Sequence, residues 1–369
     1  MSYVGQRLGR YRIEEEIGAG GMGIVYRAYD EKLERQLAIK VLTPGALNDE
    51  AARKRFRNEA RVLSRLNHPA IQTIYDFENV DGHDYLVSEL VTGESLNIRL
   101  RSGALPEKEV VRLGFQLAQG LAAAHGAGVL HRDLKPANLR VTFDGRLKIL
   151  DFGLATLSPD AAEVVSTLST QTMATVPSGI AGTLPYMSPE QLLGEELGQR
   201  SDIYSAGVVL FELATQRLPF SDSLVPKLTN AILHQAPPAL RGLAPKLSVE
   251  FERMVLKCLE KDPELRYQSA KELATDLRRL EATSSAVTVG APPQKRPRRW
   301  LVLAIGGAGV CALSATYYQG LEGCRTSGAL THLGYAFLPA FIPPLTHFRA
   351  ALGPSHQEPD IPCQLADGS

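Results

Sequence analysis

A glycine-dense turn, Gly18-Ala19-Gly20-Gly21-Met22-Gly23, lies between two stretches that both read as β-strand, Tyr11–Ile17 before it and Ile24–Tyr29 after it. That order makes the turn the tip of an antiparallel hairpin. A dinucleotide-binding βαβ unit would instead set it between a strand and a helix. Glycines at this density let the backbone bend tightly and bring its N–H groups close to phosphate oxygens. A glycine-rich hairpin is also an ordinary structural turn, so its meaning depends on what accompanies it.

The next strand pattern, Gln36–Leu42, puts Ala38 and Lys40 on one face and Leu37, Ile39 and Val41 on the other. A lysine within an apolar strand is costly to bury unless it is paired; the plain alternative is an edge strand with the lysine in water. A helix follows, capped by Asn48 or Asp49 and running to about Leu66. Phe56, Glu59, Leu63 and Leu66 recur at three- and four-residue steps, so Glu59 lies on the apolar face. An inward carboxylate and an inward ammonium answer each other, and a Lys40–Glu59 ion pair is expected.

Further on, His131-Arg132-Asp133-Leu134-Lys135-Pro136-Ala137-Asn138 is followed by Leu147-Lys148-Ile149-Leu150-Asp151-Phe152-Gly153. Taken alone, Asp133, Asn138 and Asp151 are also what loop turns use. With the glycine turn, Lys40 and Glu59 in this order, residues 11–280 resemble the protein kinase family, of the eukaryotic-like (Hanks-type) bacterial serine/threonine class. The resemblance implies an α+β, bilobal fold: an N-lobe of antiparallel β-sheet plus one helix, and a mainly α C-lobe. It implies ATP and Mg²⁺ as cofactors. Lys40 would hold the α/β-phosphates and Glu59 would fix Lys40. Asp133 would orient the acceptor hydroxyl, Lys135 would contact the γ-phosphate, and Asn138 and Asp151 would hold metal. Ile17, Gly18, Ala19, Gly20, Gly21, Met22 and Gly23 would cover the nucleotide, and Val25 and Ala38 would pack on adenine. Ser88 falls at a position often filled by a larger residue, and Glu89 and Val91 are the implied backbone contacts to the base.

The Ser/Thr-rich stretch Leu154–Met187 is expected to be an activation loop, with Thr170, Thr172 or Thr175 as autophosphorylation sites and Arg132 as the phosphate's partner. Thr183 is the serine/threonine-type residue expected near Asp133 and Lys135. Ser188 stands where the family usually has Ala before Pro-Glu. Glu190 is expected to pair with Arg266, and Asp202 to brace the catalytic loop.

Composition changes near residue 282. Residues 281–299 read as a basic linker, and no charge occurs from Leu301 to Tyr318. As a helix rising ~1.5 Å per residue, this stretch would span roughly 27 Å, enough for a bilayer core. Trp300, Tyr317 and Tyr318 suit the interfaces, and Lys295, Arg296, Arg298 and Arg299 would keep the kinase domain cytoplasmic. A single-pass cell-membrane protein is therefore expected, with 300–318 spanning and 319–369 forming an extracytoplasmic tail; a Gly/Ala-rich core helix is the rival reading. Ala304, Ala308 and Ala312 form a stripe that would suit a homodimer of spans, or is chance in so small-residue a segment. Cys324 and Cys363 are a disulfide or two free thiols. Equal numbers of basic and acidic residues, 40 of each, give no support for nucleic-acid binding. The expected partners are proteins bearing Ser/Thr, a second copy of the chain, and the membrane. The rival from another class is a pseudokinase, a nucleotide-binding scaffold without turnover.

Overall fold

The computed structural model describes residues 3–20, 23–43, 50–80, 82–152, 173 and 182–289 of the 369-residue chain. The chain divides into two units, Met1–Pro292 and Pro293–Ser369. The second unit, with the expected span at 300–318, lies outside the described residues, and so do Gly21, Met22, Gly153, Thr170, Thr172 and Thr175. Among the described residues no helix is long and apolar enough to cross a membrane.

The N-terminal part is a six-stranded sheet in the order β1-β2-β3-β4-β6-β5. The strands are β1 (Arg7–Leu8), β2 (Tyr11–Gly20), β3 (Gly23–Asp30), β4 (Arg35–Leu42), β5 (Ile74–Val80) and β6 (His83–Ser88). Every pairing is antiparallel. The glycine turn is the tip of the β2–β3 hairpin, with Gly20 opposite Gly23. Gly23 has φ +155°, and a Cβ there would sit 2.1 Å from the Val41 carbonyl oxygen, so a side chain at this position would collide with β4.

Cross-strand neighbours share a face. Gly18 pairs with Val25, Val25 with Lys40 and Lys40 with Leu86, while Arg27 pairs with Ala38 and Ala38 with Ser88. Val25, Ala38, Lys40, Leu86 and Ser88 therefore line one face of the sheet. The other face closes into its own core of Tyr11, Ile13, Tyr26, Ala28, Leu37, Ile39, Val41, Tyr85 and Val87. Burial of that whole set, at ~1.5–3 kcal/mol for each large apolar side chain, fixes which way β4 points Lys40.

Helix α1 (Glu50–Ser64) buries Phe56, Ala60 and Leu63. It stops short of Leu66, in two turn-type bonds, Arg65 N–H to the Val62 carbonyl and Leu66 N–H to the Leu63 carbonyl. Pro69 disfavours helical backbone at His68, so the helix could not have run on past that residue.

The C-terminal part holds α2 (Leu96–Arg99), α3 (Glu107–Gly126), α4 (Pro189–Leu193), α5 (Gln199–Thr215), α6 (Val225–His234), α7 (Leu240–Leu243), α8 (Val249–Cys258) and α9 (Ala270–Val289). A small sheet of β7 (Glu94–Ser95), β8 (Leu139–Val141) and β9 (Leu147–Ile149) completes it. α5 is buried on all sides from Ser201 to Phe211, as a helix with no polar face must be. A Cβ at Gly207 would lie 2.5 Å from the Cβ of Cys258, so α5 and α8 touch almost backbone to backbone. Burial pushes the Cys258 thiol up to about 12. One apolar cluster joins Leu42, Phe56, Leu63 and Leu86 to Phe152, Tyr204 and Phe211, so the six-stranded sheet with α1 and the C-terminal helices share a core. Glu190 and Arg266 form a bidentate bridge of 2.7 and 2.9 Å whose side chains are 6% and 0% exposed. Arg266 also donates to the carbonyls of Glu260, Arg200 and Lys261.

Candidate active site

The loop from His131 to Asn138 is hung from the first turn of α5. Asp202, buried there, accepts the backbone N–H of His131 and of Arg132 at 2.8 Å each. It also meets His125 Nε2 from α3 at 2.7 Å. Burial alone would raise the Asp202 pKa; the hydrogen bond and charge of His125 and the donated backbone N–H outweigh it and hold the carboxyl below its usual value. Arg132 has φ +64°, a left-handed conformation costing ~1–2 kcal/mol in a non-glycine residue. Its N–H is held by Asp202, and its carbonyl accepts from Gln191 Nε2 at 2.7 Å. Gln191 and Ser188 form a capping box at the start of α4, with Gln191 Oε1 accepting from the Ser188 N–H at 2.9 Å. The serine that departs from the family's alanine thus anchors the residue that clamps Arg132.

Asp133 sits in a ring of donors. Lys135 Nζ reaches its two oxygens at 3.1 and 2.9 Å. The Thr183 hydroxyl donates to it at 3.0 Å, and Lys135 donates to the Thr183 oxygen at 2.6 Å. Asn138 Nδ2 donates to the Asp133 carbonyl at 2.7 Å and to its carboxylate at 3.1 Å. With its nitrogen committed there, Asn138 has only its amide oxygen to offer elsewhere. Among the described residues no cluster of three or more His, Cys, Asp or Glu forms a ready-made metal cage. The amide oxygen of Asn138 and the carboxylate of Asp151 fit a hard cation such as Mg²⁺, which takes one or two protein oxygens and completes its shell with phosphate and water.

The expected Lys40–Glu59 pair is replaced by two others. Lys40 Nζ lies 3.1 Å from Asp151, and Glu59 Oε1 lies 3.3 Å from Arg132 Nη1. Both readings place Glu59 inward. The difference is which cation it meets: α1 lies where Glu59 reaches the left-handed Arg132. Burial raises the Glu59 pKa and Arg132 opposes the rise without cancelling it. Phe152, next to Asp151, is buried with its ring 4.9 Å from His131.

Across the cleft, Gly18, Ala19 and Gly20 are exposed, and among the described residues nothing lies within 4 Å of where a Cβ on Gly18 or Gly20 would be. Ile17 is 39% exposed beside them, and Ala38 is buried. At the connector, the Glu89 N–H is spent on the Thr73 carbonyl at 2.8 Å. The Glu89 carbonyl accepts from Gln72 Nε2 at 2.9 Å, and its carboxylate is held by Lys148 Nζ at 2.9 Å and the Thr73 N–H at 3.1 Å. The Glu89 backbone can therefore offer a ligand only the second lone pair of its carbonyl. The Val91 carbonyl accepts from Arg140 at 3.0 Å. Sequence reasoning missed Gln72, His125 and Gln191. The Ser188-x-x-Gln191 spacing is a capping-box signal that would have found the last; Gln72 carries no such signature.

The family described as "Protein kinase domain" matches residues 11–277. The chain is 39% identical to a probable serine/threonine-protein kinase of Streptomyces coelicolor, over 77% of this chain and 41% of that protein. It is 37% identical to the serine/threonine-protein kinase PrkC of Bacillus subtilis, over 74% and 41%. The chain thus spans about two fifths of the length of these curated relatives. The crystal structure of the Mycobacterium tuberculosis PknI kinase domain superposes with a TM-score of 0.60 at 26% identity, covering 76% of this chain and 98% of that one.

Proposed function

The chain belongs to the protein kinase domain family, and from that premise we propose that it transfers the γ-phosphoryl group of ATP to serine and threonine hydroxyls of proteins, itself included. The observation that carries the proposal is a hydroxyl already held for this chemistry: Thr183 Oγ1 lies between the Asp133 carboxylate and the Lys135 ammonium. An acceptor alcohol presented at the same carboxylate is oriented in the same way. Its oxygen forms the new bond to the γ-phosphorus as the bond to the β-phosphate oxygen breaks; ADP leaves, and the alcohol's proton passes to Asp133 and on to solvent. Lys135 and Lys40 supply positive charge where the phosphoryl oxygens gather negative charge. Asn138 and Asp151 would hold Mg²⁺, which supplies further neutralisation when bound.

The test is radiolabel transfer from ATP by the wild-type chain and by Asp133→Asn. Labelling in the wild type that drops by two or more orders of magnitude in the variant supports the assignment, and equal labelling in both removes it. The second reading, a nucleotide-binding scaffold without turnover, draws on the pairing of Glu59 with Arg132 in place of Lys40. It requires that neither protein label. We further propose a position at the cell membrane, with one span over 300–318 and the kinase domain cytoplasmic, a reading supported by the uncharged stretch and the basic residues among 295–299. Membrane fractionation with and without 300–318 tests it.

A further inference from the structure

Ser88 is small and buried, and its pairing with Ala38 puts it on the sheet face that carries Lys40. The space that a larger side chain would fill there is taken by Gln72. The Gln72 backbone is fixed by its N–H to the Ile149 carbonyl at 3.0 Å. Its side-chain Nε2 donates to Ser88 Oγ at 3.1 Å and to the Glu89 carbonyl at 2.9 Å. Those two bonds use both hydrogens of the amide nitrogen. They also settle its orientation, because a flipped amide would set its oxygen against the Glu89 carbonyl, acceptor against acceptor. Gln72 Oε1 accepts no hydrogen bond among the described residues. Two acceptors, Gln72 Oε1 and the second lone pair of the Glu89 carbonyl, are left at the back of the cleft.

We infer that Gln72 is a specificity-determining residue for the nucleotide base: together with the Glu89 carbonyl it reads both hydrogens of a 6-amino group on a purine. This rests on the proposal that the cleft binds ATP and adds how the base is selected. A 6-oxo purine presents an acceptor to two acceptors and is rejected. A purine whose 6-amino group carries one methyl keeps a hydrogen for Glu89 and loses the one for Gln72. A site that disfavoured the analogue through the bulk of its methyl group alone would keep that preference in Gln72→Leu, whose side chain is of similar size, so the variant separates a lost hydrogen bond from crowding.

The probes are ADP, N6-methyl-ADP and inosine diphosphate with Mg²⁺, titrated calorimetrically into the full chain, so that binding is read without turnover. Leaving one buried polar group unpaired corresponds to on the order of a 5- to 100-fold loss. The wild type is expected to bind N6-methyl-ADP at least about fivefold more weakly than ADP, and inosine diphosphate more weakly still. Gln72→Leu, which keeps the bulk and removes the acceptor, should bring N6-methyl-ADP to within about twofold of ADP. Wild-type affinities for ADP and N6-methyl-ADP that are equal overturn the inference, as does a preference unchanged in Gln72→Leu. If that variant does not fold, Gln72→Met, of similar length and without the amide acceptor, takes its place with the same expected outcome. A wild type that shows the preference yet moves no phosphate from ATP overturns the kinase reading and leaves this inference standing. A wild type that binds no purine nucleotide overturns both.

Discussion

Replacing Asp202 by Asn tests whether the catalytic loop depends on α5. The aspartate accepts the His131 and Arg132 N–H groups at 2.8 Å each and meets His125 Nε2 at 2.7 Å. Asparagine offers one oxygen, and its amide nitrogen is a donor turned toward other donors. At least one buried N–H loses its acceptor, at ~1–3 kcal/mol, and the remaining bonds lose the strength that charge gave them. A total of ~3–5 kcal/mol is expected, a large fraction of the ~5–15 kcal/mol that holds a typical domain together. At roughly 2–4 °C per kcal/mol for a domain of this size, the melting temperature falls by about 6–20 °C. Arg132, no longer held in its left-handed conformation, lets Asp133 drift, so kcat falls more than the KM for ATP rises. The sign of the pH dependence follows from the depressed Asp202 pKa. Its stabilisation is present above the unfolded value near 3.8 and is lost as pH drops through the folded value, and the variant lacks that acid-sensitive component. Circular dichroism melts from neutral to acidic pH, with steady-state kinetics at neutral pH, make the measurement. A variant that melts within about 2 °C of wild type with kcat unchanged would refute the reasoning.

Arg266→Met strands Glu190 in the interior and should cost ~3–5 kcal/mol, whereas adding Glu190→Leu should recover part of the loss; chemical denaturation of both reads this, and an unaltered single variant contradicts it. Gly23→Ala forces a methyl group onto the Val41 carbonyl, 2.1 Å away, and should raise the KM for ATP with a smaller effect on kcat, a split visible in initial rates. Lys261 is depressed to about 8 by burial and by Arg266, so the unfolded state binds more protons above that pH. Stability should therefore gain a rising component between about pH 8 and 10 that Lys261→Met lacks, as melting curves across that range will show.

The alternation of Gln36–Leu42 was legible because one face of β4 must meet Leu37, Ile39 and Val41 in a closed core, which leaves Lys40 a single direction. Asp133 and Asn138 were legible only through the resemblance of the His131–Asn138 and Leu147–Gly153 motifs to the kinase family, since taken alone such residues also serve ordinary loop turns. The partner of Glu59 was not. Helical periodicity tells which side of α1 faces inward but not how far the helix stands from β4, and that separation decides between Lys40 and Arg132. Gln72 was hidden for a related reason. A single polar residue in Ile71-Gln72-Thr73 acquires meaning only when the Ser88 side chain is small enough to admit it, and the two are distant in sequence.

The burial of α5 on every side also bears on the order in which the polypeptide is made. Ribosomes release the loop at His131–Asn138 first, then residues 199–215, and only later Cys258, Leu259 and Arg266, which seal that helix. Until those last residues emerge, α5 has a bare greasy flank along Gly207. A nascent chain halted before Arg266 would carry every residue of the cleft and still lack the footing on which Asp133 stands.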